Sequence, residues 1–328
     1  MNTKKFFLMA VVMSMSVVLF AQTPMDPLIA VFNDGAAKVN AGDFKTAIAD
    51  FEEVIAMAET VGAPANDLKV KSQAQLPVLH YQVATAHMKQ KKYDEAIISL
   101  KKTIELSELY GNNTDNKAKA MKYLPQLLTG VGSQKYKEQN FPGALENFDE
   151  AIKYDPNYAK AFLGKGLIFA DQFKGKEMVE NFSKAIELSK QVGDEKTVEM
   201  AQTRLGAFYI NQGNLDMADV DPEDEDFTNA IASFETAISY NPAATDAYYM
   251  LAVIWNRSIE FDKAIENAKK ALESETDPTK IAAINLELGN GYNGIAEYDH
   301  ACEAYNKAMV EPFYEKALAK KEKVPGCE

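Results

Sequence analysis

The chain has 328 residues, and its 48 acidic residues outnumber its 35 basic residues to give a formal net charge of −13. So acidic a surface repels phosphate backbones and anionic lipid, which argues against nucleic acid as a partner. The length alone suggests about two domains, unless the chain grows by repetition and each added unit buries its apolar face on its neighbour.

The first 21 residues have the pattern of a secretory signal peptide. Lys4 and Lys5 precede an uncharged apolar run over Phe6–Phe20, and Ala21 supplies a small residue for cleavage. An uncleaved membrane anchor is the alternative, but this run is short for the roughly 20 residues that a spanning helix needs. We therefore expect a bacterial protein that is periplasmic or secreted, with cleavage near Ala21 and no membrane span afterwards.

The remaining chain repeats one pattern seven times. Each unit has a small residue near the middle of its first helix, and these are Gly35, Ala84, Gly132, Gly166, Gly206, Ala252 and Gly289. In five units a bulky residue follows sixteen positions later, namely Phe51, Leu100, Phe148, Phe182 and Tyr305. The fifth unit reaches its match, Phe234, only after a 12-residue insertion, and the sixth has Ala268. Small residues allow two helices to cross closely, so the pattern predicts stacked helix pairs.

This order of small and aromatic residues resembles the tetratricopeptide repeat (TPR) family. The strongest match is the segment LTGVGSQKYKEQNFPGALENFDEAIKYDP. The resemblance implies an all-α, right-handed α-solenoid of about seven helix-turn-helix units, with residues 22–328 forming a single solenoid. The expected repeats are 28–61, 77–110, 125–158, 159–192, 199–244 with an acidic insertion, 245–278 and 282–315, followed by a capping helix at about 312–324.

Units two and three are longer than the family pattern. Helix-favouring runs follow polar starts at Asn66 and Thr114, so we expect the first helix of each unit to be extended. Pro77 and Pro125 fall at equivalent positions, where each would kink or break its helix.

In the TPR family the first helices line a concave groove that binds partner peptides. Carried over by position, the groove residues expected here are Phe32, Asn40, Tyr81, Lys89, Tyr136, Lys137, Lys160, Asn211, Tyr249, Asn256, Arg257, Asn290 and Asn293. Phe32 and Ala36 occupy first-unit positions at which the family's carboxylate clamp has Lys and Asn, which argues against a chaperone-tail clamp. The resemblance therefore implies a non-catalytic scaffold for a protein or peptide partner in the cell envelope. The alternative is an accessory subunit of an envelope enzyme or secretion complex, which docks through its convex face or its acidic loop.

Two features raise the question of a metal site. His80 and His87 are seven residues apart on one helix face, but their register positions are those of core aromatic residues. The insertion Asp216–Asp226 alternates carboxylates in a way that suits calcium, although the glycine of an EF-hand turn is replaced by Asp224. Core packing and a solvated acidic loop are the simpler interpretations. We therefore expect no metal and no cofactor, and no catalytic motif is found.

The chain has two cysteines, Cys302 and Cys327. In an oxidising compartment they can form a disulfide that ties the last residues to the body. A buried Cys302 with a free thiol in the tail is equally consistent with the sequence. The Lys-rich helix expected after Glu311 caps the last unit, or alternatively attracts an acidic partner.

Overall fold

The computed structural model describes residues 25–221 and 225–327. Fifteen α-helices and a single 3-10 turn account for the regular structure within these residues, and no strand is found there. The prediction of an all-α fold built from helix pairs is confirmed. The predicted signal peptide, residues 1–21, lies outside the described residues, as do Glu223 and Asp224 of the acidic insertion.

The helices follow one another along the chain as seven pairs and a final single helix. The pairs are α1 Met25–Ala41 with α2 Phe44–Val61, α3 Asn66–Lys89 with α4 Tyr93–Tyr110, α5 Thr114–Lys137 with α6 Phe141–Tyr154, α7 Ala159–Asp171 with α8 Gly175–Val192, α9 Glu195–Ala218 with α10 Thr228–Tyr240, α11 Thr245–Arg257 with α12 Phe261–Leu272, and α13 Pro278–Gly294 with α14 Tyr298–Ala308; α15 is Tyr314–Lys321.

The chain divides into two compact units, the first ending at Val131 and the second beginning at Gly132. In the first unit, Phe51 and Leu76 are buried in one cluster together with Leu79. In the second unit, the largest buried side chains include Phe148, Phe182, Phe234 and Tyr305. Each unit has its own apolar interior, and the continuity of the predicted solenoid between the units stays a prediction.

The expected contact between a small residue and an aromatic ring is present in the second unit. A Cβ atom built on Gly132 would lie 2.9 Å from the ring of Phe148, and one on Gly166 would lie 2.5 Å from the ring of Phe182. Gly289 has the same relationship to Tyr305, at 2.6 Å. These distances are shorter than a carbon contact allows, so the two helices of each pair approach this closely only because a glycine is present.

The fifth pair follows the same rule, but with a different glycine from the one predicted. A Cβ atom on Gly213 would lie 2.8 Å from the ring of Phe234, whereas Gly206 faces Asn241 at 3.3 Å. The predicted register of this unit is therefore wrong by seven residues. The insertion between the small residue and the aromatic residue is correspondingly shorter than expected, and α9 gains length at its beginning instead.

Three first helices, α3, α5 and α9, are each 24 residues long. The extension of α3 and α5 was predicted, and that of α9 was missed because of the register error. Pro77 and Pro125 are buried inside continuous helices, so neither proline breaks its helix. Buried leucines flank each proline along the helix, and their packing offsets the backbone hydrogen bond that proline cannot donate.

The turns inside the pairs share one backbone feature. Two residues before the second helix, six of the seven pairs have a residue with positive φ, and these are Gly42, Lys91, Gln139, Phe173, Ile259 and Ala296. Only one of them is a glycine. Phe173 and Ile259 are also 96% and 74% exposed, so neither is held in this conformation by burial of its side chain.

The final helix covers the seventh pair, as predicted. Ala317 and Val324 are buried against Leu286, Ala301 and Tyr305. Cys302 and Cys327 are joined by a disulfide, and their Cα atoms are 5.6 Å apart. Across the part of the chain that the structure describes, none of the helices is both long enough and apolar enough to cross a bilayer.

Candidate functional site

A cleft of about 470 Å³ opens between α11, α13 and α15 in the second unit. We call it the C-terminal groove. Its apolar residues are Val253, Phe261 and Gly294, and its polar residues are Asn256, Arg257, Glu287, Asn290, Asn293, Lys316 and Lys320. The first helices of two successive pairs supply most of this lining, and the capping helix supplies the two lysines.

A hydrogen-bond network centred on Glu287 forms the floor of the groove. The side-chain amide of Asn256 donates to the backbone oxygen and to the carboxylate of Glu287, both at 2.9 Å. Asn290 donates to the same carboxylate at 3.0 Å and accepts a 3.0 Å hydrogen bond from the Tyr305 hydroxyl. Burial, with a contribution from Glu287, raises the pKa of Tyr305 to about 12, so this hydroxyl keeps its proton and remains a donor.

The network leaves one acceptor unused. Among the described residues, the side-chain oxygen of Asn256 is buried and has no hydrogen-bond partner. A buried acceptor without a donor is costly. This oxygen lies towards α13, since a Cβ atom built on Gly291 would be 3.5 Å from it.

The rim of the groove is basic. Arg257 ends α11 and pairs with Glu225 at 2.8 Å, with its guanidinium 4.6 Å from the centre of the Phe227 ring. Lys316 and Lys320 are exposed and lie four residues apart on α15, and no ion pair is found for either of them within the described residues. The chain as a whole has a net charge of −13, so the positive charge of this rim is opposite in sign to that of the whole protein.

Four of the thirteen predicted groove residues line this groove together: Asn256, Arg257, Asn290 and Asn293. Tyr249 is not among them. It lines a separate cavity of about 240 Å³, which also contains Asp246, Lys280 and Phe313. A 2.6 Å ion pair between Lys280 and Asp246 joins α13 to α11 beside this cavity.

Four more predicted residues lie elsewhere in the second unit. Tyr136 donates to Asp171, and Lys160 pairs with Asp194 at 3.5 Å, so both contact a neighbouring helix or its cap. Lys137 and Asn211 are exposed. Because the register of α9 moves by seven residues, Asn211 no longer has the family position on which its prediction rested.

The remaining four predictions lie in the first unit and share no described site. Phe32 packs edge-to-face on Phe51, with ring centres 5.6 Å apart, so its ring contributes to the core. Asn40 and Lys89 are exposed near the ends of α1 and α3, and Tyr81 is half-buried.

Sequence reasoning missed Glu287, Phe261, Lys316 and Lys320. Glu287 did carry a signal, since it is the single charged residue in the stretch 281–296. The two lysines were predicted to lie on a capping helix that could also attract an acidic partner, but nothing in the sequence indicates that they line a groove with α11 and α13.

The metal hypotheses gain no support from the geometry. Across the part of the chain that is described, no three His, Cys, Asp or Glu side chains cluster as a metal site. His80 and His87 instead line a cleft of about 690 Å³ between α2, α3 and α4, together with Lys102 and Glu105. In the acidic insertion, Asp226 accepts a hydrogen bond from the Thr228 backbone N–H at 2.9 Å and thereby caps α10.

Comparisons with known families place the helix pairs in a class. Residues 132–172 match a family model described as TPR repeat, and residues 78–108 and 205–280 each match one described as tetratricopeptide repeat. These segments fall in both units and include α11, which carries Asn256 and Arg257. These three segments therefore match tetratricopeptide repeats, as the resemblance implied.

The particular relatives include Hsp70-Hsp90 organizing protein 3 of Arabidopsis thaliana, which is 26% identical over 185 residues, covering 55% of this chain and 29% of the relative. Stress-induced-phosphoprotein 1 of Caenorhabditis elegans is 24% identical over 187 residues, covering 55% of this chain and 49% of the relative. The chain thus spans less than half the length of either relative.

Solved structures with a similar arrangement include the TPR2AB-domain:pHSP90 complex of yeast Sti1, at 14% identity and a TM-score of 0.38, covering 90% of this chain and 95% of that one. MamA is 24% identical with a TM-score of 0.36, covering 62% of this chain and 96% of that one.

Proposed function

We propose that this protein is a non-catalytic interaction scaffold that binds an extended segment of a partner protein in the C-terminal groove. The observation that carries the proposal is the network of Asn256, Glu287 and Asn290, which fixes amide groups on the floor of a groove that is also lined by exposed Asn293. Backbone groups of an extended peptide match such amides, and Val253 and Phe261 offer apolar contact beside them.

Peptide selection on the mature chain tests this function. Peptides enriched from a displayed random library would be measured by fluorescence anisotropy against the wild type and Asn293→Ala. Asn293 lines the groove, is exposed, and has no side-chain hydrogen bond among those described, so we expect its replacement to leave the fold intact. We expect binding to weaken by roughly threefold to tenfold, as for the loss of about one hydrogen bond.

Asn267→Ala is the matched control. Asn267 lies on α12, outside the groove, and its side chain donates to the backbone oxygen of Lys263 at 2.9 Å. Its replacement should leave peptide affinity unchanged. Selected peptides that bind the wild type and Asn293→Ala equally well would contradict the groove as the binding site.

We further propose that the scaffold works in the bacterial cell envelope. The support is the pattern of Lys4, Lys5 and the apolar run before Ala21. Amino-terminal sequencing of the protein from its native cells should give Gln22 as the first residue. A chain that begins at Met1 and sediments with membranes would contradict export with cleavage.

A further inference from the structure

The acidic insertion of the fifth pair reaches the rim of the C-terminal groove. Glu225, near the end of this insertion, places a carboxylate oxygen 2.8 Å from the Arg257 guanidinium. The two residues are 32 positions apart, and both side chains are partly exposed, at 45% and 42%. A carboxylate from the chain itself therefore forms an ion pair with one of the three cations that line the groove.

The backbone at Glu225 is in an unfavourable conformation while this ion pair is made. Its φ is +47°, a left-handed value that residues other than glycine rarely adopt. Its N–H group donates a hydrogen bond to the Asp221 backbone oxygen at 2.9 Å. Both side chains are partly exposed, so solvent screens the ion pair and a carboxylate of a ligand can compete with it.

The residues that follow Glu225 are fixed in place. Phe227 is 4% exposed within the core of the second unit, and its ring also lies under the Arg257 guanidinium. Asp226 caps α10. The side chain of Glu225 can therefore leave Arg257 while Phe227 keeps the guanidinium in position for another carboxylate.

We propose that Glu225 is an internal competitor for Arg257, and that the C-terminal groove takes acidic peptide segments whose carboxylates displace it. This inference rests on the proposed peptide-binding function and names the chemistry of the ligand. Lys316 and Lys320 on the same rim supply two further cations for such a segment. The one acidic side chain on the floor, Glu287, already accepts hydrogen bonds from Asn256 and Asn290.

The test compares two probes on the mature chain by fluorescence anisotropy at low salt: a fluorescein-labelled glutamate-rich peptide and its glutamine twin. Glu225→Gln keeps the side-chain size but removes the competing charge. It should tighten binding of the glutamate probe by about threefold to fivefold and leave the glutamine probe unchanged. Arg257→Gln should weaken the glutamate probe, and Glu225→Gln should give no gain in that background.

Asp219→Asn is the matched control, since it removes one negative charge from the same insertion at an exposed position at the end of α9. Equal tightening by Glu225→Gln and Asp219→Asn would overturn the inference, because a general charge effect would then explain it. Failure of the glutamate probe to bind either the wild type or Glu225→Gln would also overturn it. Peptides from the unbiased library would still report on the groove itself, so the two proposals fail separately.

Discussion

The hydroxyl of Tyr136 donates a 2.7 Å hydrogen bond to the carboxylate of Asp171, which lies 35 residues further along the chain. The two side chains join the end of α5 to the end of α7, the first helices of successive pairs. Tyr136 also packs near Phe141, with ring centres 6.0 Å apart. The contact thus links neighbouring repeats on their first-helix side and holds Tyr136 in one orientation.

Burial and the Asp171 hydrogen bond together raise the pKa of Tyr136 to about 12. In Asp171→Asn the pKa should fall toward, but stay above, the ordinary value of 10.0, because burial is the larger of the two causes. NMR titration of ring-labelled tyrosine measures it, with Tyr136→Phe to assign the signal. An unchanged pKa in Asp171→Asn would show that the two groups do not interact in solution.

Gly213→Ala should destabilise the second unit by about 1–3 kcal/mol, because the added methyl group overlaps the ring of Phe234. Gly206→Ala should cost less, since the nearest atom to its added methyl is the Asn241 Cβ at 3.3 Å. Urea denaturation of both variants gives the order. The reverse order would restore the register predicted from the sequence.

The first unit should lose stability as the pH falls below about 6.5. Burial, and then the charge of Lys102, lower the pKa of His80 from 6.5. The unfolded chain therefore binds a proton at a higher pH than the folded chain does, so acid favours unfolding below 6.5. The charged groups lining the same cleft are Lys45 and Glu52 from α2 and Lys101, Lys102 and Glu105 from α4, with His87 on the same helix.

Thermal melts between pH 7.5 and 5 check this dependence. His80→Phe should flatten this pH dependence, because phenylalanine has no group that titrates. A phenylalanine suits the position, since the equivalent residue in the fourth repeat is Phe162. His300→Gln serves as the control, since His300 is exposed and pairs with Glu297 on the surface. If His80→Phe keeps the wild-type pH profile, His80 is not the group responsible.

Reduction of the disulfide should loosen the capping helix before the rest of the chain. The bond closes a loop with a sequence separation of 25, for which loop-closure entropy predicts about 2–4 kcal/mol of stabilisation. Hydrogen exchange with and without reductant should show faster exchange in α15, and peptide binding should weaken because Lys316 and Lys320 lie on that helix. Exchange in α7, far along the chain, is the internal reference.

The helix pairs could be predicted because each close crossing of two helices requires a small residue, and that requirement shows in the spacing of Gly132, Gly166 and Gly289. The same logic misassigned the fifth pair. Gly206 and Gly213 are seven residues apart, which is 20° short of two helical turns, so both lie on almost the same face of α9. The sequence offers no means of choosing between them, whereas the position of the Phe234 ring does.

The grouping of four predicted residues in one cleft has a similar reason, whereas their role in binding stays a prediction. Asn256, Arg257, Asn290 and Asn293 followed from their positions within a repeat, because the face of a helix is set by its periodicity. Lys316 and Lys320 line the groove through the packing of α15 on the seventh pair, and Glu225, near the end of the insertion, pairs with Arg257. Both depend on tertiary contacts that no repeat pattern encodes.

The left-handed residue in six of the seven pairs occupies the same place in each turn, whether it is Gly42, Lys91 or Ile259. Since a β-branched side chain such as Ile259 has no local preference for this conformation, the helices on either side must impose it. The six turns are thus equivalent positions at which helices from different pairs could be joined. A second helix taken from one pair could be joined there to the first helix of another, so that hybrid repeats would be limited by the fit of their packed faces and not by the turn.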